Sequence, residues 1–246
     1  MAKIAVQLYT VREALKGDYE GVIRQIAAMG YDGVEPAGMY GAGPREARAL
    51  FDSLGLAVPS AHLGLLDDAA GRAQALDNAA ILGCQYAVVP FIPAEQFATV
   101  DLVIEQCNRL NAALPDVKAH GMQLLYHNHW WEFTVKPELG GRTAIDVMKE
   151  HLDPAIGFEV DTYWAQHAGL DPAAVVAQLG DRAPLLHMKD GHPGTDQAML
   201  AVGDGVVDFK AIVSASTAGW WISELDRHDG DMLTAIRRSA AYLKTL

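Results

Sequence analysis

Four short stretches in the second half of the chain each carry two polar residues one position apart. They are His127 and His129, Glu159 and Asp161, His187 and Lys189, and Glu224 and Asp226. Imidazoles and carboxylates are the side chains that hold divalent cations, and with lysine they are also the ones that move protons. In an extended strand alternate side chains share a face. Each pair therefore points one way, while the intervening Val160, Met188 and Leu225 point the other way, toward apolar packing. Gathering buried charges without compensation is costly. One divalent metal ion compensates them, because two neutral imidazoles and two carboxylates balance a doubly positive ion. The expected ion is Mn, Co, Zn, Fe, Ni or Mg. A mixed nitrogen and oxygen donor set without thiolates suits the transition metals better than Ca.

Each residue also has a plainer reading. A lone histidine at a strand end is more often a hydrogen-bonded structural residue, and a lone aspartate there is often a helix N-cap. The repetition over four consecutive strands is what favours a metal. Glu35 and His62 stand alone on their strands and read equally well as pocket lining or as structure. His120, just before Gly121, reads as a helix C-terminal residue. Cys84 and Cys107 lack CxxC spacing and read as small core residues, with no disulfide framework and no thiolate zinc site. The pairs Trp130-Trp131 and Trp220-Trp221 read as part core and part pocket wall.

The elements that must position these residues are short β-rich runs alternating with longer helical runs. Eight strands are expected, at Ile4–Tyr9, Gly33–Pro36, Val58–Leu63, Tyr86–Phe91, Gln123–His127, Ile156–Asp161, Leu185–Lys189 and Trp220–Leu225. Val22, Ile23, Ile26 and Met29 have helical spacing and end at Gly30; Ala47, Leu50, Phe51 and Leu54 do the same and end at Gly55. Asp171-Pro172 opens a further helix as N-cap and first-turn proline. Eight strands alternating with helices give a parallel sheet. An open doubly wound sheet would carry a glycine-rich phosphate turn after its first strand, but Gln7-Leu8-Tyr9-Thr10-Val11-Arg12 has no glycine. Gly38-Met39-Tyr40-Gly41-Ala42-Gly43 follows the second strand and lacks both the GxGxxG and P-loop patterns, so it reads as a flexible βα loop. The expectation is a single (β/α)8 TIM barrel spanning residues 1–246. In such a barrel the polar pairs sit at the C-terminal mouth, where active sites form.

The chain of 246 residues has a net charge of −12, which argues against nucleic-acid and anionic-membrane partners. The N-terminal run enters a strand at Ile4-Ala5-Val6 with no leader pattern, and no apolar stretch is long enough to span a bilayer. The cytoplasm is the default expectation.

With these residues in hand, the chain resembles the xylose isomerase-like barrel superfamily of sugar isomerases and epimerases, most closely its inosose-dehydratase-like members. The stretches that carry the likeness are Tyr126-His127-Asn128-His129 with Glu132-Phe133, and Phe158-Glu159-Val160-Asp161-Thr162-Tyr163-Trp164 with Gly169-Leu170-Asp171-Pro172. They continue with His187-Met188-Lys189-Asp190, Val202-Gly203-Asp204-Gly205 and Glu224-Leu225-Asp226. The resemblance implies one metal held at the ends of strands five to eight by Glu, Asp, His and Glu. The last three fall on Asp161, His187 and Glu224. The strand-five glutamate is absent; His127 stands in its place, with His129 and Glu132 as alternatives. Apurinic endonucleases of the same superfamily carry a histidine-rich three-zinc site. Here Trp164 and Pro90 replace two of its histidines, which with the acidic charge argues against DNA repair.

The resemblance also implies the chemistry: proton abstraction next to a carbonyl in a keto-sugar or polyol. Glu224 and Glu132 are the expected acid/base residues, Lys189 the stabiliser of a developing oxyanion, and His62 or Lys189 the general acid if a hydroxyl is expelled. An isomerase or epimerase comes first, and an inosose-dehydratase-like lyase is the alternative. A sugar-binding barrel without catalysis is a third reading, disfavoured by the full acid/base set. The implied partner is a small sugar or polyol substrate, with a homodimer as the assembly family members often form.

Overall fold

A computed structural model describes residues 2–38, 41, 43–192, 194 and 197–246. Three residues of the expected Gly38–Gly43 loop, Met39, Tyr40 and Ala42, lie outside the described residues. Eight parallel strands form one sheet: β1 Lys3–Gln7, β2 Gly33–Glu35, β3 Ser60–His62, β4 Tyr86–Val89, β5 Gln123–His127, β6 Gly157–Asp161, β7 Leu185–Met188 and β8 Trp220–Ser223. Their order is β2-β1-β8-β7-β6-β5-β4-β3. The seam between β2 and β3 is bridged by backbone bonds from Val34 N–H to the Ala57 carbonyl and from His62 N–H to the Pro36 carbonyl, each 2.9 Å. The sheet thus curls into a nearly closed (β/α)8 TIM barrel, as the alternation of elements predicts.

The strands run shorter than the apolar runs suggest, and prolines explain three of the ends. Pro36, Pro59 and Pro90 lie just outside β2, β3 and β4, and a proline has no N–H to give a ladder. Beyond β7, Asp190–Gly191 pairs antiparallel with Met199–Leu200, a small hairpin the periodicity does not announce.

Strand parity divides the apolar residues into two clusters. Val160, Met188 and Leu225 belong to the large one between barrel and helices. Ala5, Val88, Leu125, Leu185 and Ile222 form a small separate cluster. Two residues further along their strands stand Gln7, Pro90, His127, His187 and Glu224. The small cluster is therefore the apolar plug beneath the polar mouth. Partly buried Trp220 packs against this plug at the first residue of β8, and Trp221 is buried in the outer cluster. This pair stands at the far end of β8 from the mouth, so the expectation that it forms part of the pocket wall is corrected. Cys84 and Cys107 are free and buried. His120 caps the helix Val100–Ala119.

Candidate metal centre and pocket

The ends of β5 to β8 bring one ligand atom each from His127, Asp161, His187 and Glu224 within 4.8 Å of one another, all four residues being buried. His187 Nδ1 lies 2.8 Å from Glu224 Oε2, and His127 Nε2 lies 3.9 Å from Asp161 Oδ2. Asp161 fills both roles weighed for it. Its Oδ1 caps the helix Thr162–His167 by accepting the Trp164 N–H at 2.9 Å, which leaves Oδ2 facing the group with no hydrogen bond. Its own backbone N–H donates to Asn128 Oδ1, tying β6 to the end of β5.

Lys189, fully buried, bridges the carboxylates of this group. Its Nζ is 2.7 Å from Glu224 Oε2, 3.1 Å from Asp161 Oδ2 and 3.2 Å from Asp226 Oδ1. Above them opens a cavity of about 480 Å³ lined by Tyr9, His62, Phe91, His127, His129, Lys189, Glu224 and Asp226 among others. A cavity of this size suits a small-molecule ligand.

A second layer lies beneath. Glu159 Oε2 is 2.7 Å from His62 Nε2, 3.0 Å from His187 Nε2 and 3.1 Å from His127 Nδ1. Glu35 Oε2 is 2.8 Å from His187 Nε2 and accepts a 2.7 Å bond from Gln7 Nε2. His127 and His187 therefore each turn one nitrogen down toward Glu159 and the other up toward the Asp161 and Glu224 carboxylates. Protonation of the lower nitrogens leaves the upper lone pairs free for a cation, the arrangement in which a carboxylate behind a histidine fixes its tautomer. His62, His127, Glu159 and His187 form a second close group in their own right.

The electrostatics follow from burial and pairing. Burial, then the neighbouring His187 charge, pushes His127 down to about 3, so its imidazole is neutral at pH 7. Burial likewise takes His129 down to about 2. Burial raises Asp161 to about 6, with Lys189 partly offsetting it. Burial opposes the charge on Glu224, but Lys189 and His187 outweigh it and hold the carboxylate well below its usual range. Burial also opposes the charge on Lys189, and Asp161, Asp226 and Glu224 overcome it, so the ammonium persists. His187 is held well above its usual range by Glu159, Glu224 and Glu35 despite burial.

The family described as xylose isomerase-like TIM barrel matches residues 23–246. The chain belongs to this family. It is 24% identical over 252 residues to an inosose dehydratase of Geobacillus kaustophilus (strain HTA426), covering 84% of this chain and 79% of that protein. Its structure is similar to a sugar phosphate isomerase/epimerase of Parabacteroides distasonis ATCC 8503, with a TM-score of 0.81 at 25% identity over 100% of this chain and 99% of that one. An L-ribulose 3-epimerase shares the fold with a TM-score of 0.73 at 16% identity over 100% of this chain and 94% of that one. A probable 3-DHS dehydratase of Bacillus anthracis does so with a TM-score of 0.75 at 16% identity, over 98% of each chain. No helix among the described residues is long and apolar enough to cross a membrane.

Of the residues this family resemblance nominated, His62, His127, Lys189 and Glu224 line the cavity, while Asp161 and His187 lie buried in the same cluster. Glu132 does not join them. Tyr126 Oη donates to its Oε1 and the His129 N–H to its Oε2, and Tyr126 belongs to the outer face of β5. Glu132 thus braces the β5 loop from outside the barrel wall, and the acid/base position expected of it is corrected. The chain turns back after β5, with Phe133 N–H bonded to the Trp130 carbonyl, so strand parity no longer applies to Glu132. His129 lines the cavity but stacks on Trp131, with ring centroids 4.4 Å apart, and belongs to neither close group among the described residues. Glu35 sits below the cavity rather than on its wall. Sequence reasoning missed Gln7, and it placed Glu159 only as a face-mate of Asp161. The parity of Gln7 with Ala5 on β1 was the available signal.

Proposed function

We propose that the chain is a divalent-metal-dependent isomerase or epimerase of a keto-sugar or polyol, with His127, Asp161, His187 and Glu224 as the metal ligands. The observation that carries this reading is the four-residue group under an open cavity, with Asp161 Oδ2 buried and its nearest charged partner the Lys189 ammonium at 3.1 Å. The donors fit the ion: two imidazoles and two carboxylates, with Glu159 orienting both rings from behind. The ion, when bound, would polarise a substrate carbonyl and acidify the neighbouring C–H. His187 gives up its proton to become a ligand, so metal uptake releases protons.

The remaining chemistry belongs to residues of this chain. Glu224, kept ionised by Lys189 and His187, is the carboxylate suited to take the proton. Lys189, kept charged, donates hydrogen bonds to negative charge developing on a substrate oxygen. With Glu132 turned away, Asp226 is the second carboxylate on the cavity wall. It can return a proton from another direction.

The relationship to an inosose dehydratase favours one alternative, a lyase in which the same proton abstraction is followed by loss of a hydroxyl. His62 on the cavity wall is then the general acid. Metal analysis after dialysis tests the site: a single divalent ion per chain is expected in the wild type and its loss in Asp161→Ala. Full retention in that variant overturns the ligand assignment. Ketoses and inososes incubated with metal-loaded protein in deuterated water and followed by NMR test the reaction. Deuterium uptake at the carbon next to the carbonyl supports the reading, and loss of water selects the lyase. Absence of any exchange or turnover overturns both.

A further inference from the structure

A second groove adjoins the cavity. It encloses about 490 Å³ and is lined by Phe91, Pro93, Ala94, Glu95, His129, Trp130, Trp131, Trp164, Asp226 and Arg227. Phe91, His129 and Asp226 line both spaces, so the groove continues from the candidate centre rather than lying apart from it. Three of the five tryptophans of the chain meet here. The Trp130 ring centroid lies 4.6 Å from that of Trp131 and 4.7 Å from that of Trp164. The Phe91 ring stands edge-on to Trp131 and is 52% exposed, so one face of it is open to the groove.

The lining specifies an occupant. Aromatic faces and the Pro93–Ala94 step match the C–H face of a ring, and the polar groups at the same groove match its hydroxyls. The charged groups are Glu95, Asp226 and Arg227, two acids to one base, which disfavours an anionic ligand such as a phosphate. Arg227 is held in place by its 2.7 Å bond from Nε to the Gln197 carbonyl. The volume fits a small molecule rather than a protein segment.

We propose that this aromatic groove is a second ring subsite, so that the substrate is a glycoside whose keto-sugar unit occupies the metal cavity while its neutral second ring lies against Phe91 and the part-exposed Trp130, with buried Trp131 and Trp164 backing them. The proposal rests on the keto-sugar reading above and narrows it to glycosylated substrates.

The test compares D-fructose with two glycosylated ketoses that contain it, lactulose and isomaltulose. Each is titrated into the intact Mn-loaded protein and followed by tryptophan fluorescence and calorimetry. Burying one more ring face predicts that a glycosylated ketose binds at least about tenfold more tightly than fructose. That ratio falls to near unity in Trp130→Ala and in Ala94→Trp. The second variant fills the groove from an exposed position on a short helical turn, which covers the case in which Trp130→Ala fails to fold. Equal affinity for fructose and its glycosides in the wild type overturns the subsite and leaves the keto-sugar reading standing. So does a variant that weakens both sugar classes by the same factor. Failure of every ketose to bind the metal-loaded protein overturns the keto-sugar reading and the subsite together.

Discussion

Glu159→Gln removes the one anion that faces three histidines. In the wild type Glu159 Oε2 lies 2.7 Å from His62 Nε2, 3.0 Å from His187 Nε2 and 3.1 Å from His127 Nδ1. Burial opposes its charge, but His187 and His62 outweigh burial, so the group is ionised at neutral pH. A glutamine keeps one acceptor oxygen, loses the charge, and presents N–H donors to rings that also donate. The rings of His127 and His187 then lose the bond that turns their upper nitrogens toward Asp161 and Glu224. Loss of a carboxylate behind a metal-bound histidine costs roughly 10–100-fold in metal affinity, or about 1.4–2.7 kcal/mol. Because Glu159 backs two of the four proposed ligands, the upper part of that range is expected. The assay is calorimetric titration of the metal-free protein with Mn, with circular dichroism to establish that the variant is folded. Heteronuclear NMR of the imidazole nitrogens of the metal-free protein supplies a readout that a structural role alone would not move: a single Nδ1–H tautomer on neutral His127 in the wild type, mixed tautomers in the variant. An unchanged Mn affinity in a folded Glu159→Gln protein refutes the reasoning.

Three further outcomes follow from the same geometry. Burial raises Glu132 to about 7, so the folded chain holds its proton more tightly than the unfolded chain. Its contribution to stability is complete below the ordinary glutamate range and is lost as pH rises to 7, by about 3 kcal/mol; Glu132→Gln, which mimics the protonated acid, should remove that part of the slope in urea unfolding between pH 4.5 and 7. Gly205→Ala should destabilise by about 2–3 kcal/mol in thermal or urea unfolding, because a Cβ there would lie 2.1 Å from Asp190 Oδ1 while Asp190 is accepting the N–H groups of Gly191, Gly203, Gly205 and Val207. Lys189→Met should bind Mn at least about tenfold more tightly, since the ammonium competes with the ion for Asp161 and Glu224. It should also abolish deuterium exchange into ketoses; tighter metal binding with exchange intact would remove Lys189 from the chemistry.

The barrel was legible because its strands are apolar runs that end in polar residues, separated by helices with clear stops such as Gly30. The strand ends were less legible for a local reason. Tyr86–Phe91 reads as one β-rich run, yet β4 stops at Val89 because Pro90 cannot donate to the ladder. The hairpin between Asp190–Gly191 and Met199–Leu200 was invisible because two residues per strand carry no period. It is held by long-range features: the Asp190 carboxylate gathering backbone N–H groups from the Gly203–Val207 loop, and Met199 N–H bonded to the Arg227 carbonyl.

Parity showed which face a residue takes, but not its depth, and the site depends on depth. Glu159 and Asp161 share a face of β6, yet Glu159 pairs in register with Leu185 of the apolar plug and Asp161 with His187. One carboxylate therefore lies under the histidines and the other beside them, a distinction set by the stagger between strands. That depth also bears on His127, which stands at the end of β5 where the resemblance implies a glutamate. A ligating glutamate there would bring a third negative charge to the ion. His127, neutral because burial takes its pKa to about 3, brings none. In the proposed site Asp161 and Glu224 would balance a doubly positive ion by themselves, with the Glu159 carboxylate one layer down behind the imidazole rings. In the proposed site one carboxylate thus stands behind the histidines rather than on the ion, where it would hold the rings in place as ligands.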